Sequence, residues 1–554
     1  MNVILPGIQP RALNAPMAAE ELSRVLRTCS ASPFSAEQLS HYIQRADHDI
    51  KLFDNCIERL RERQAALQHD IAQYSSLLSP IRKLPAEILR RILGYACTAD
   101  HSSVDPTIPT FAFRLSSVCS RWREVALHSP ELWATLSLSS TTGAVVPVRL
   151  ALSRSQQIPL CFRVCEGWDE TRDGEEVFNA MVQHAPRWLV ADFNEENPDI
   201  LCQLRAVDKI PILESIACTS WKAEDIFYDS PLSDLLSLKE LGYRFEYCTL
   251  GPDSLEIFPW ANIRHLDMDF DGDNSPATVF ECLGLGHSIQ SLAYCGIAAF
   301  DGLTPTNPYT SQDEARVPVT SNLHTLTFRL QNEKGFYPLL QDFLRGLTLP
   351  NLTNLTIRFE EDANSRQTEG FGFLEEWPRS VLRGFLDRSG CTLTSLVLEG
   401  MPLADTHVLA LLNLTPSLQS FTLSELWASV PADYSKATPL RLHKTVTRTL
   451  LQRLDAPAFA PDAFTAQHPL LPKLKYLKLA VQSHFDSDQV FVEMIRSRWD
   501  RPNGDLFLYP TERLRTVVLH VVNRKLAEGV YEPLKRLDEE GLMITVFGDG
   551  IRVV

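Results

Sequence analysis

From Leu39 to Leu78 the apolar positions recur at alternating steps of four and three. They are Leu39, Ile43, Ala46, Ile50, Phe53, Ile57, Leu60, Leu67, Ile71, Tyr74 and Leu78, with Gln64 as the one polar interruption. No Pro or Gly falls inside, and Ser35 stands before the first turn. The pattern predicts one long helix over 35–79 carrying a coiled-coil-like seam. Asp47, Asp49 and Asp54 flank the seam early, and Arg61 and Arg63 flank it later. That asymmetry suits an antiparallel second copy, a homodimer through residues 39–78. The same seam also suits packing on the next domain of its own chain. Residues 1–34 hold Pro6, Pro10, Pro16 and Pro33 and no sustained period, so a mostly flexible segment is expected there.

Over 80–139 the period is helical but the runs are short. Pro85 is expected at the first position of a helix, where its missing N–H costs nothing, with Glu87 at the third. Ile88, Leu89, Ile92, Leu93 and Ala96 form its apolar face. A polar insert with Pro106 and Pro109 follows. A second amphipathic helix is expected through Leu115, Val118, Cys119, Trp122, Val125 and Ala126, and a short third one from Ser129-Pro130 to Leu132-Trp133. A unit this small buries little surface and must lean on neighbours.

Beyond residue 140 the pattern changes again. A helix over 148–152 turns into a strand over 159–164. A core of the form apolar-x-x-apolar-x-apolar then recurs, beginning Trp188/Ala191/Phe193, Leu213/Ile216/Cys218, Leu238/Leu241/Tyr243, Ile263/Leu266/Met268 and Ile289/Leu292/Tyr294, with first positions 25, 25, 25 and 26 residues apart. Six further cores start at Leu323, Leu352, Leu393, Leu418, Leu474 and Leu514, at irregular spacing. A 20–29-residue period with this core is the leucine-rich-repeat signature: each repeat makes one short strand and cannot bury its face alone. The expected fold is α+β and repetitive. It comprises a flexible segment (1–34), a heptad helix (35–79), a three-helix module (80–139) and an irregular leucine-rich-repeat solenoid (140–554). Strand alternation turns Glu240, Gly242 and Arg244, then His265, Asp267 and Asp269, then Ser291, Ala293 and Cys295, toward the open face. Arg329 and Arg358 follow at equivalent places, where their side-by-side guanidinium groups are expected to share one anion.

The ordered blocks Leu84-Pro85-x-Glu87-Ile88-Leu89-x-x-Ile92, Leu115-x-x-Val118-Cys119-x-x-Trp122-x-x-x-Ala126 and Leu132-Trp133 resemble the F-box. With the insert and the repeats, the whole chain resembles fungal F-box-like proteins with a leucine-rich-repeat region. The resemblance implies a substrate-recognition subunit of an SCF-type ubiquitin ligase, bridging a Skp-type adaptor, and through it a cullin, to a target protein. It implies adaptor contacts at Leu84, Pro85, Glu87, Ile88, Ile92, Leu115, Val118 and Trp122. Target contacts are expected at Arg244, Arg329 and Arg358. The rival reading is a leucine-rich-repeat scaffold with no ligase.

Charge and chemistry narrow the function further. Lys and Arg total 53 against 69 Asp and Glu in 554 residues, a net charge of -16. This argues against broad nucleic-acid or anionic-membrane binding. Asp267-x-Asp269-x-Asp271-Gly272 imitates half a calcium loop but has Thr278 at the twelfth position. No nucleotide, metal or hydrolase motif is complete, so no catalytic residue, metal or cofactor is expected. Scattered cysteines are expected to be reduced and buried. No apolar run reaches membrane-spanning length and no signal-peptide pattern opens the chain, which points to the cytoplasm or nucleus.

Overall fold

The computed structural model describes residues 19–28, 34–98, 110–164, 171–193, 210–220, 237–246, 259–271, 276–297, 318–331, 336–360, 379–401, 403–426, 444–455, 470–499 and 511–554. The polar insert with Pro106 and Pro109, and much of the stretch after Leu423, lie outside them. The chain divides into two units, Met1–Ile92 and Leu93–Val554.

In the first unit, α1 spans Ala19–Thr28 and α2 spans Ala36–Leu78. Helix α1 lies inside the segment 1–34, for which the sequence shows no sustained period. Its ten residues, with Glu20 and Glu21 in the first turn and Arg27 in the last, suit the helix dipole but are too short to show a period. Helix α2 starts at a capping box. The Gln38 N–H donates to Ser35 Oγ at 3.3 Å and the Ser35 N–H to Gln38 Oε1 at 3.0 Å. It stops at Ser79, whose ψ of 128° is the extended conformation that a following Pro imposes. Most of the seam is exposed, with Ile57 at 46% and Ile71 at 65%, while Leu39 and Ala46 near its start are half-buried. A 3-10 turn at Pro80–Lys83 and the start of α3 (Ala86–Thr98) complete the unit.

In the second unit come α4 (Phe111–Val118), α5 (Ser120–Leu127), β1 (Thr135–Leu138), α6 (Val145–Arg154), β2 (Leu160–Val164), α7 (Arg172–Val182) and β3 (Trp188–Phe193). Next are β4 (Ser215–Ser220), β5 (Glu240–Glu246), β6 (His265–Asp271), α8 (Pro276–Leu285), β7 (Ser291–Ile297), β8 (Val319–Thr320), β9 (Thr325–Gln331), α9 (Phe336–Gly346), β10 (Leu347–Thr348) and β11 (Asn354–Glu360). The last are α10 (Arg379–Ser389), β12 (Ser395–Glu399), α11 (Asp405–Leu414), β13 (Ser420–Ser424), α12 (Arg448–Leu454), β14 (Tyr476–Val481), α13 (Asp488–Trp499), β15 (Thr516–Val521), α14 (Glu528–Glu539), β16 (Met543–Gly548) and β17 (Ile551–Arg552). No helix among the described residues is long and apolar enough to cross a membrane.

The strands form one 15-stranded sheet in sequence order, parallel until β17 turns back antiparallel on β16; β8 and β10 pair separately. The recurring cores stand in register. Leu266 lies beside Leu292, Leu292 beside Leu326, Leu326 beside Leu355 and Leu355 beside Leu396. The leading positions Leu213, Ile263, Leu323, Leu352, Leu418 and Leu474 are fully buried. Strands in the middle of the sheet enter in the same way. The carbonyl of Lys239 accepts the N–H groups of Arg264 and His265, that of Arg264 the N–H groups of Gln290 and Ser291, and that of Gln290 those of His324 and Thr325.

Two devices tie neighbouring elements together. The Trp133 indole N–H donates to the Ala126 carbonyl at 2.8 Å, and the Trp188 indole N–H to Met181 at 3.2 Å, each seven residues back at a helix C-terminus. Arginines cap the helix before their own. Arg187 reaches Ser155 Oγ and the Ile158 carbonyl after α6, Arg388 the carbonyls of Leu344 and Leu347 at the end of α9, and Arg498 that of Leu454 at the end of α12. The Leu344 and Leu454 carbonyls lie in the last turns of α9 and α12, where carbonyls lack helical partners and a cation also meets the negative end of the dipole.

The sheet begins at β1, inside the range assigned to the helical module, because Trp133 and β1 repeat the arrangement of Trp188 and β3. Leu136 pairs in register with Phe162 and Phe162 with Ala191. The division between the units falls within α3. The helix expected through Leu115 and Ala126 is broken at Cys119, which is extended at φ -161°. There the Ser116 hydroxyl donates to the Phe113 carbonyl, the Ser117 hydroxyl to Arg114, and Arg123 Nε to Ser116. The Arg123 bond takes up the Ser116 carbonyl, which a continuous helix would have paired with the Ser120 N–H.

Candidate functional site

Helix α3 starts when the Pro85 carbonyl accepts the Leu89 N–H at 3.0 Å. Pro85 is therefore the N-cap, one place earlier than expected, and Glu87 is the second helical residue. Two stripes follow from the 3.6-residue period. Leu89, Leu93 and Cys97 are buried, and burial pushes the Cys97 thiol up to about 12, which makes it a packing group. Ile88 (46% exposed), Ile92 (41%) and Tyr95 (65%) form the other stripe, in solvent. An exposed row of two isoleucines and a tyrosine on one helix is unusual unless something covers it.

The expected adaptor residues separate by their burial. In the first unit Ile88 and Ile92 share the exposed face, Pro85 and Glu87 are exposed in the turn before it, and Leu84 is half-buried. In the second unit Val118 is exposed, Trp122 is half-buried and Leu115 is a core residue at 6%. Leu115 therefore packs inside and does not offer itself to a partner. Tyr95 was missed by sequence reading, although its place three residues after Ile92 puts it on the same stripe.

On the open face of the sheet, Arg329 and Arg358 lie in register on neighbouring strands, and each is paired with a carboxylate of its own chain. Arg329 donates to Asp267 and is ion-paired with it, while Arg358 Nε lies 3.2 Å from Glu399 Oε2. The two guanidinium groups lean in opposite directions, each toward its own carboxylate. The Arg329–Asp267 pair spans from β9 to β6 over β7, where Ala293 and Cys295 stand between them in register. Small residues at those places admit the bridge, and Cys295, expected at the surface, is 1% exposed. Arg244 lies in β5 beside Asp269; its side chain lies outside the described residues. Asp267, the first residue of the calcium-like stretch, is committed to Arg329.

Sequence reading also passed over Glu425, which is 7% exposed just after β13. Its Oε1 accepts the Thr445 and Val446 N–H groups, each at 2.8 Å, and Oε2 accepts that of Gln482 at 3.3 Å. The carboxylate thus ties three stretches of chain together. Burial pushes its carboxyl up to about 7, and the three N–H groups and Lys444 oppose the rise. A carboxyl raised on folding stabilises fully below its unfolded value, and that contribution is lost as pH rises through about 7. Nearby His484 is lowered by burial and acts oppositely in the same window, so the measurement is a difference. Relative to Glu425→Gln, the parent's unfolding free energy should fall by up to ~3 kcal/mol between pH 5 and pH 8. Parallel pH profiles for the two chains would contradict this.

The F-box-like family model matches residues 81–139. The chain therefore carries an F-box-like domain, one that includes the exposed stripe of α3 and ends just after β1. Among solved structures, the crystal structure of the Rad7 and Elc1 complex in yeast is similar at 14% identity over 90% of this chain and 93% of that one, with a TM-score of 0.31. No curated protein matches the chain.

Proposed function

We propose that this chain is the substrate-recognition subunit of an SCF-type ubiquitin ligase. The F-box-like domain holds a Skp-type adaptor, and through it a cullin, while the long parallel sheet acts as a leucine-rich-repeat solenoid that holds a target protein. The chain contributes no side-chain chemistry. It brings the target's lysines near the charged ubiquitin-conjugating enzyme and so raises their effective concentration. The observation that carries this reading is the solvent-facing row Ile88, Ile92 and Tyr95 inside the matched domain. An exposed aromatic and two aliphatic anchors on one helix suit a hot spot for a protein partner.

The in-register open face supports the second half of the proposal. It is broad, and the Arg329–Asp267 and Arg358–Glu399 pairs brace its side chains. Affinity purification of the full chain with mass spectrometry tests the reading. Adaptor and cullin recovered together with further proteins support it. Partners recovered with no adaptor would replace it with a repeat scaffold that serves no ligase.

A further inference from the structure

We propose that α2 is the interface between two copies of this chain, joined as an antiparallel coiled coil along the seam Leu39–Leu78. The proposal does not depend on the ligase reading. Leu60, Leu67, Ile71, Tyr74 and Leu78 are between 49% and 79% exposed, and Ile43 and Ile50 are 64% and 55% exposed. A row this long along a ~64 Å helix far exceeds the scattered apolar side chains of an ordinary surface. Its strict alternation of four and three matches a second helix of the same repeat.

Charge selects the orientation. In full antiparallel overlap Ile57 meets the partner's Leu60, Ile50 meets the partner's Leu67, and Ile43 meets the partner's Tyr74. In that register Asp54 stands beside the partner's Arg61 on one flank, and the symmetry of the pair repeats the contact. A parallel pair places no opposite charges together at the flanking positions: Arg63 would meet the partner's Gln68. Of the other two early acids, Asp47 lies 3.7 Å from Lys51 of its own helix, and Asp49 is 4% exposed, enclosed by its own chain, and takes no part. Arg61 has a loose contact with Glu58 of its own helix at 3.8 Å, with both side chains in solvent, so it is available to a partner at little cost. Gln64 meets the partner's Phe53, a polar residue at one layer that fixes register. A dimer would present two sheets to a target and strengthen binding to any target with repeated sites.

Light scattering of the full chain across a concentration series is the test, with charge reversal as the orientation control. The expected mass is twice the 62.5 kDa of the chain. Asp54→Arg should raise the dimer dissociation constant by about tenfold, and Asp54→Arg with Arg61→Asp should restore it. Ile57→Asp with Leu60→Asp should give a monomer whose sheet still unfolds at the parent's urea midpoint. A parent that stays monomeric at every concentration overturns the proposal. A dimer that Asp54→Arg leaves unchanged or strengthens overturns the antiparallel arrangement. A dimer that survives the seam substitutions places the interface elsewhere and also overturns it.

Discussion

Replacing Ile88 and Ile92 together by alanine is expected to weaken binding of a Skp-type adaptor by roughly 2–4 kcal/mol, about 30- to 1000-fold. The two side chains lie one turn apart on α3 with about half their surface in solvent, so truncation leaves the fold intact and removes contact area only from the complex. Leu84, the residue sequence alone would pair with Ile88, is half-buried, and its loss would mix folding with binding. Leu89→Ala is the opposite control. That side chain is 0% exposed, and its truncation should destabilise the domain by ~2–5 kcal/mol. Isothermal titration of purified adaptor against the double variant, with circular dichroism to confirm its helix content, decides the matter. Unchanged affinity in a folded double variant would mean that the stripe does not meet the adaptor.

Arg498→Met should be the most damaging single substitution in the C-terminal part of the sheet. The guanidinium is fully buried. Its Nε donates to the Leu454 carbonyl at 2.5 Å, Nη1 to Leu471 at 3.1 Å and Nη2 to Leu470 at 2.6 Å. One side chain thus satisfies the end of α12 and the turn leading into β14. Methionine fills most of the volume but leaves three buried carbonyls without their charged donor, at a cost of ~3–5 kcal/mol. Lysine keeps the charge but not the planar fork, and should lose roughly half as much. Hydrogen exchange at residues 448–499 in the full chain reads the loss locally. A change below ~1 kcal/mol there would show that the carbonyls find other donors.

The devices that hold these repeats were hard to see in the sequence for a common reason. An arginine that caps a helix in the preceding repeat looks, in sequence, like any surface arginine on an amphipathic helix. Trp133 and Trp188 share their spacing of seven residues from the carbonyl they bind, but nothing in the sequence marks those carbonyls as needing a donor. The direction in which Arg329 leans was equally hidden. In-register placement put it beside Arg358, but the choice between a shared anion and separate carboxylates depended on Asp267 two strands away and Glu399 one strand away. Glu425 was overlooked because its partners are backbone N–H groups 20, 21 and 57 residues along the chain.

The sequence by itself determined what has a period. The seam of α2 and its start at Ser35 were legible because helix geometry repeats every 3.6 residues and a capping box needs only local residues. The strand cores from Trp188 to Leu519 were legible because a strand alternates sides and stacked repeats must offer an apolar residue at the same place each time. The ordered blocks from Leu84 to Trp133 pointed to the F-box-like domain. Only the tertiary structure decided what depends on neighbours distant in the chain. It placed β1 at the head of the sheet and β16 near its end, where Ile544 and Val546 continue the register without the leading three-residue step. It divided the apolar face of α3 into a buried stripe and an exposed one, and it enclosed Leu115 and Cys295. Periodicity records that a side chain is apolar, but burial is settled by which other segments arrive to cover it.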